Sequence, residues 1–199
     1  MHKSTPEDRG RKPRKRLFSR FLRDRSGATA IEFAALAIPF SLLVFAILES
    51  CIAFAGQEVM ANATDEVARQ IRTGQLRADA VKAGTPSMVQ QLICQRLEII
   101  VAKGCPGLLV DLRNFTDFSD AANAKFAIVN GDIVLMNNGV KDPRGFVVDP
   151  GGSESRNMLR VFYKWPVMTD LLAKSMANLN GNATLHFTSI TWQNEAYDN

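Results

Sequence analysis

Ser26 to Ala55, SGATAIEFAALAIPFSLLVFAILESCIAFA, is the stretch that most limits what this chain can become. Phe33 to Leu48 is a run of sixteen residues without a charge. At a helical rise of ~1.5 Å per residue that run measures ~24 Å. Continued to Ala55, it covers the ~30 Å hydrocarbon layer of a bilayer, so the segment reads as a membrane-spanning helix. One residue is out of place. Glu32 lies just inside the apolar run, where a carboxylate costs roughly 2.5–3.5 kcal/mol on the lenient insertion scale.

The net charge of +4 hides a division. Residues 1–25 hold ten Lys/Arg against three Asp/Glu, and residues 26–199 hold fourteen against seventeen. A basic tail alone suits nucleic acid. Placed against a membrane segment, it is better read as a positive-inside anchor that keeps 1–25 cytoplasmic, with no nucleic-acid partner. There are three cysteines. Cys51 lies in the apolar segment. Cys94 and Cys105 lie in the part expected to be exported, where a disulfide between them can close a small loop. The other reading is two free buried thiols. Their spacing fits no zinc motif, and no metal is expected.

Along the chain, 1–16 are polar, basic and expected to be disordered. Leu17 to Arg25 fits an amphipathic turn on the membrane surface. The membrane helix continues past Ala55 with altered chemistry. Val59, Ala63, Val67 and Ile71 recur every four positions, an apolar stripe on a helix that has left the bilayer. Gly74 is the expected stop, so one helix runs from Ala28 to about Thr73. Glu49, near its far membrane edge, reads as interfacial, reaching headgroups or water. A second helix is expected at 86–103, capped by Thr85 with Pro86 at its first position. Leu108, Val110 and Leu112 alternate with Asp111 and Arg113, the pattern of a half-buried strand. Residues 118–130 suit a helix, and 131–157 read as a Gly/Asn/Asp/Pro-rich loop with a short strand at Val147–Val148. Leu159, Val161, Tyr163 and Trp165 alternate on a strand that Pro166 ends. A helix at 168–179 and a strand over ATLHFTSITW follow. The sum is an α+β domain: an antiparallel sheet packing one face on helices, among them the outer half of the long helix.

Catalytic signatures are missing. No His/Cys/carboxylate cluster has metal-ligand spacing, and there is no Gly-x-Ser-x-Gly, P-loop or Gly-x-Gly-x-x-Gly. The expectation is a protein that is not an enzyme and takes no cofactor. Ala53-Phe54-Ala55 fits a signal-peptidase site, and Leu48 to Cys51 faintly fits a lipoprotein site. Cleavage at Ala55 would discard a helix whose stripe continues to Ile71.

Gly27 and Glu32 together support a different reading. A basic leader, a glycine, then an apolar helix with Glu as the fifth residue after the glycine resembles a type IV prepilin. That resemblance implies cleavage between Gly27 and Ala28 by a prepilin peptidase. It also implies an assembly role for Glu32, as partner of the new α-amine of a neighbouring subunit. The C-terminal stretch adds Tyr163-x-Trp165-Pro166, Thr169-x-Leu171-Leu172, Gly181, Ser189 and Asn194-Glu195. With RSGATAIEFA, these resemble the TadE-like family of the tight-adherence (Tad) pilus system, most closely over 25–73 and 158–197. The resemblance implies a pilin-like α+β fold with a long N-terminal helix. It implies a leader at 1–27, a membrane helix at 28–55 and a periplasmic domain at 56–199. The expected partners are other pilins, Tad assembly proteins, the prepilin peptidase and the inner membrane. The expected function is a minor pilin or pseudopilin that assists pilus assembly. The alternatives are a secreted binding domain released at Ala55 and an unprocessed membrane-anchored scaffold. On the residues alone, Tyr163, Trp165 and Pro166 read as core and strand-end positions.

Overall fold

The computed structural model describes residues 27–84 and 86–197. The expected disorder of 1–16, the turn at 17–25 and the Thr85 cap lie outside them. Helix α1 spans Ala28–Arg72, with Pro39 inside it. It stops where expected. Gly74 takes a positive φ of 73°, and the Leu76 N–H reaches back to the Gln70 carbonyl at 3.0 Å. Arg69 and Arg72 in the last turn suit the negative end of the helix dipole.

Two short helices follow, α2 (Ala78–Lys82) and α3 (Met88–Leu97). The sequence reading missed α2 and made α3 too long. The cap of α3 is Ser87, whose Oγ accepts the Gln90 N–H at 3.3 Å, so Pro86 precedes the cap. The helix ends early because the Glu98 carboxylate turns to accept the Gly104 N–H at 2.9 Å. Cys94 and Cys105, with Cα atoms 5.7 Å apart, are joined by a disulfide that ties α3 to the chain leading into the sheet.

The main sheet has the order β5-β1-β6-β7, with β1 Leu108–Phe115, β5 Val148–Asp149, β6 Arg156–Pro166 and β7 Ala183–Gln193. Its long strands are antiparallel, with Val110 opposite Val161 and Tyr163 opposite His186. The edge strand β5 is parallel to β1, so the sheet is mixed, not purely antiparallel. Helix α4 (Phe118–Ala122) and helix α5 (Asp170–Met176) sit in the connections. The first part of 118–130 is helical as expected, but its second part and the start of the supposed loop at 131–157 form a second sheet. It comprises β2 (Ala124–Val129), β3 (Asp132–Asn137) and β4 (Val140–Lys141), in sequential antiparallel order. Its two hairpin turns, Asn130-Gly131 and Asn138-Gly139, have positive φ at both residues, as two-residue hairpins require.

Each face of the main sheet is covered. On one face Leu108, Val110, Leu112, Leu159, Val161, Tyr163, Trp165 and Trp192 pack with α1, α2 and α3. On the other, Phe162 is fully buried among Phe126, Phe146 and Phe187, with Ile133 and Leu135 of the second sheet. This second layer overturns the half-buried reading of β1. Asp111 and Arg113 face the second sheet, not solvent, and both are buried. Asp111 takes Arg113 Nε on one oxygen at 2.8 Å and Arg160 on the other at 2.6 Å. Arg113 also bonds Asp142, and Arg160 Nη1 donates to the carbonyls of Ala124 and Lys125 at 3.0 and 3.1 Å. Burial works to raise the Asp142 carboxyl, but hydrogen bonds from Arg144 and Arg113 hold it well below the usual carboxylate range.

His186 of β7 is buried and stacks on Trp165, with ring centroids 4.8 Å apart. Burial pushes its imidazole down to about 4 from an ordinary 6.5. Between those values the unfolded chain binds a proton that the folded chain refuses. Stability from this group is therefore complete above pH 6.5 and falls as pH drops to about 4. At ~1.4 kcal/mol per pH unit the total loss is roughly 3 kcal/mol. Denaturant unfolding of the full chain in detergent, from pH 4 to 8, is expected to show this slope. His186→Gln is expected to flatten it, and equal slopes would place the acid sensitivity elsewhere.

Candidate functional site

The N-terminal part of α1 is an apolar rod. Ile31, Phe33, Leu36, Ile38 and Phe40 are all exposed, on every side of the helix. Among the described residues, α1 is the one helix long and apolar enough to cross a membrane. Such a surface in contact with water would be strongly unfavourable, and in lipid it is at home. Gly27, at the start of this helix, is exposed, and nothing lies within 4 Å of where a Cβ would be. Glu32 is exposed one turn beyond Ala28. Four residues apart, Ala28 and Glu32 share a face. Ala28, Ala30, Ala34, Ala35 and Ala37 keep the early turns slim, so another helix can come close.

Further along, α1 changes role. Its buried residues from Glu49 onward are Glu49, Ala53, Gly56, Met60, Ala63, Thr64, Val67, Ala68 and Ile71. Their three- and four-residue spacing makes one continuous stripe, which begins at Glu49, ten residues before the Val59 start legible in the sequence. Gly56 allows the closest approach. A Cβ there would overlap the six-membered ring of Trp165. Gln57 adds a polar tie, its amide donating to the Phe187 carbonyl at 2.8 Å.

Glu49 corrects the interfacial reading. Its carboxylate is only 8% exposed and faces the chain that follows β6. One oxygen accepts the Thr169 hydroxyl at 2.7 Å, and the other accepts the Met168 N–H. The Thr169 N–H lies 3.3–3.4 Å from both. A buried carboxylate with several donors is a satisfied group, and each such bond is stronger than a neutral one.

The C-terminal motif residues converge on this helix. Trp165 covers Gly56, Thr169 binds Glu49, and the Glu195 N–H donates to the Arg72 carbonyl at 2.9 Å. Asn194 is buried. It accepts Trp192 Nε1 at 2.7 Å and donates to the Gly152 carbonyl at 2.8 Å, closing the chain end over the Gly151-Gly152 turn. Cys94, Glu98 and Cys105 come close enough to resemble a metal site. With both sulfurs in a disulfide they offer no thiolate, so the donor set does not suit a metal. Cys51 is exposed on the apolar helix.

An α+β domain built on the outer half of one long apolar helix is the pilin-like arrangement. Residues 27–69, which lie almost wholly on this helix, match the family model described as TadE-like protein. No curated protein and no solved structure matches the chain.

The Glu49 contact can be tested directly. Glu49→Ala strands two backbone N–H groups and a hydroxyl, and is expected to destabilise the domain by about 1.5–3 kcal/mol. Hydrogen exchange at the Met168 and Thr169 amides is expected to accelerate in the variant, whereas amides of β6 keep their order. Unchanged exchange at both would mean that the carboxylate holds nothing in place.

Proposed function

We propose that this protein is a single-pass inner-membrane minor pilin or pseudopilin that assists assembly of a Tad pilus. Its N-terminus would be cytoplasmic and its α+β domain periplasmic. The observation that carries the reading is the TadE-like match over 27–69, which begins at Gly27 on a helix that is apolar and exposed from its first turn. The working contacts are helix against helix and domain against domain, with other pilins and Tad assembly proteins, and not catalysis.

In this reading a prepilin peptidase cuts between Gly27 and Ala28. The cut creates an α-amine at Ala28 with an ordinary pKa of ~7.7–8.0, largely protonated at neutral pH. In an assembly it neutralises Glu32 of a neighbouring subunit, which offsets the burial penalty of that carboxylate. Release at Ala55 fits less well. It would sever Glu49 and Ala53, both buried in the domain, from the rest of their stripe.

N-terminal sequencing of the mature protein separates the alternatives. A start at Ala28 supports prepilin-type processing, a start at Gly56 supports secretion, and Met1 supports an unprocessed scaffold. Glu32→Ala is expected to leave membrane insertion intact and to reduce surface piliation severely. Normal piliation in that variant would remove the role given to the carboxylate.

A further inference from the structure

The turn that Glu49 holds has an unexpected surface. Met168 gives its N–H to the Glu49 carboxylate, yet its side chain is 68% exposed. Met176, at the end of α5, is exposed as well, and Lys174 is solvent-facing in the same last turn. An apolar side chain that points outward from a pinned backbone is not loose chain. On α1 at the same level, Leu48, Ile52 and Phe54 are exposed too. From Ala28 to Leu48, at ~1.5 Å per residue, a helix covers about 30 Å, which is the hydrocarbon thickness of a bilayer. Residues 50–55 therefore fall in the headgroup layer, and the Met168 turn is tied to α1 at the near edge of that layer.

We propose that Met168 of the Val167–Thr169 turn, with Lys174 and Met176 of α5, forms a second membrane contact, seated on lipid where α1 leaves the hydrocarbon. The inference rests on reading α1 as a membrane span. Continuity identifies the occupant. The exposed apolar belt of α1 runs on past Glu49 to Phe54, so whatever coats that belt also reaches Met168. Met168 and Met176 enter the acyl boundary as the apolar face of an interfacial segment does, and Lys174 extends its ammonium to lipid phosphates. Glu49 makes the contact rigid by fixing the turn to the helix.

The full chain in nanodiscs of phosphatidylethanolamine and phosphatidylglycerol tests this. In a Cys51→Ser background, an environment-sensitive fluorophore is placed at Met168→Cys. The same fluorophore goes at Phe33→Cys as a reference within the span, and at Val140→Cys, exposed on β4, as an aqueous reference. The Met168 probe is expected to be quenched by nitroxide lipids several-fold more than the Val140 probe, and to be shielded from iodide. If iodide quenches it as it quenches the Val140 probe, while the Phe33 probe stays in lipid, the domain stands clear of the bilayer and the proposal fails. Shielding from both quenchers would assign the surface to a protein neighbour and overturn the lipid contact. An iodide-accessible Phe33 probe would show that the membrane reading of α1 itself is wrong, and the proposal would fall with it.

Discussion

Between Ala53 and Ile71, α1 lies against one face of the main sheet, and the rest of the fold depends on that contact. The helix gives up bulk to achieve it. Ala53, Gly56, Ala63, Thr64 and Ala68 bring its backbone near the strands, and Met60, Val67 and Ile71 fill the core between them. Trp165 lies over Gly56, where a single methyl would have no room. Thr64 satisfies its buried hydroxyl on the Met60 carbonyl at 2.7 Å, so a polar residue costs little in the stripe. One helix thus obeys two rules in sequence. Up to Leu48 it is apolar on all sides, as lipid requires. Beyond Glu49 it narrows to one buried stripe in which small residues alternate with Met60, Val67 and Ile71, as close packing on a sheet requires.

The change of rule falls at an ionised group. A carboxylate at the end of a membrane segment would ordinarily be left to water. Glu49 instead binds the chain immediately after β6, and the same strand carries Tyr163 and Trp165 into the core. The motif residues from 163 to 169, widely separated in sequence from the helix, therefore act as its receptor. Glu195 repeats the arrangement at the other end of the stripe, on the last carbonyls of α1. The helix is held at Glu49, at Gly56 and at Arg72. These contacts join the two ends of the chain, which are far apart in sequence, at one helix.

Much of this was legible in the sequence. The length of α1, most of its stripe and its stop at Gly74 follow from periodicity and one glycine, and the alternation of Leu159 to Trp165 put those residues together on one of the two buried faces of β6. The misreadings have physical causes. Asp111 and Arg113 looked solvent-facing because alternation says only that two faces differ, not that one is wet. Their partners, Arg160 and Asp142, are too distant in sequence for any local pattern to join them. The second sheet went unseen because its strands are short and half-exposed. Its signal was there in Asn130-Gly131 and Asn138-Gly139, two hairpin-forming dipeptides on either side of the apolar run Ile133-Val134-Leu135-Met136. Glu49 could not have been placed at all, since nothing near it in sequence supplies its donors.

The two faces of the sheet are held by different physics, and the difference bears on what the domain can tolerate. The helix face is apolar, with small residues in register, and it depends on shape. The other face combines a phenylalanine cluster with a ring of buried ions. Taking such ions out of water costs several kcal/mol each, so the network adds little net stability over an apolar core of the same volume. It does, however, have a single satisfied arrangement. Asp111 has its two oxygens taken by two arginines, and Arg160 also reads the carbonyls of Ala124 and Lys125 at the start of β2. A one-residue slip of β2 would turn its side chains over and strand those carbonyls. The two Asn-Gly turns set the register of these strands against one another, and Arg160 ties the first of them to the main sheet. The ions supply specificity on the face where hydrophobic contact is too thin to do so, and α1 supplies it by close fit on the other.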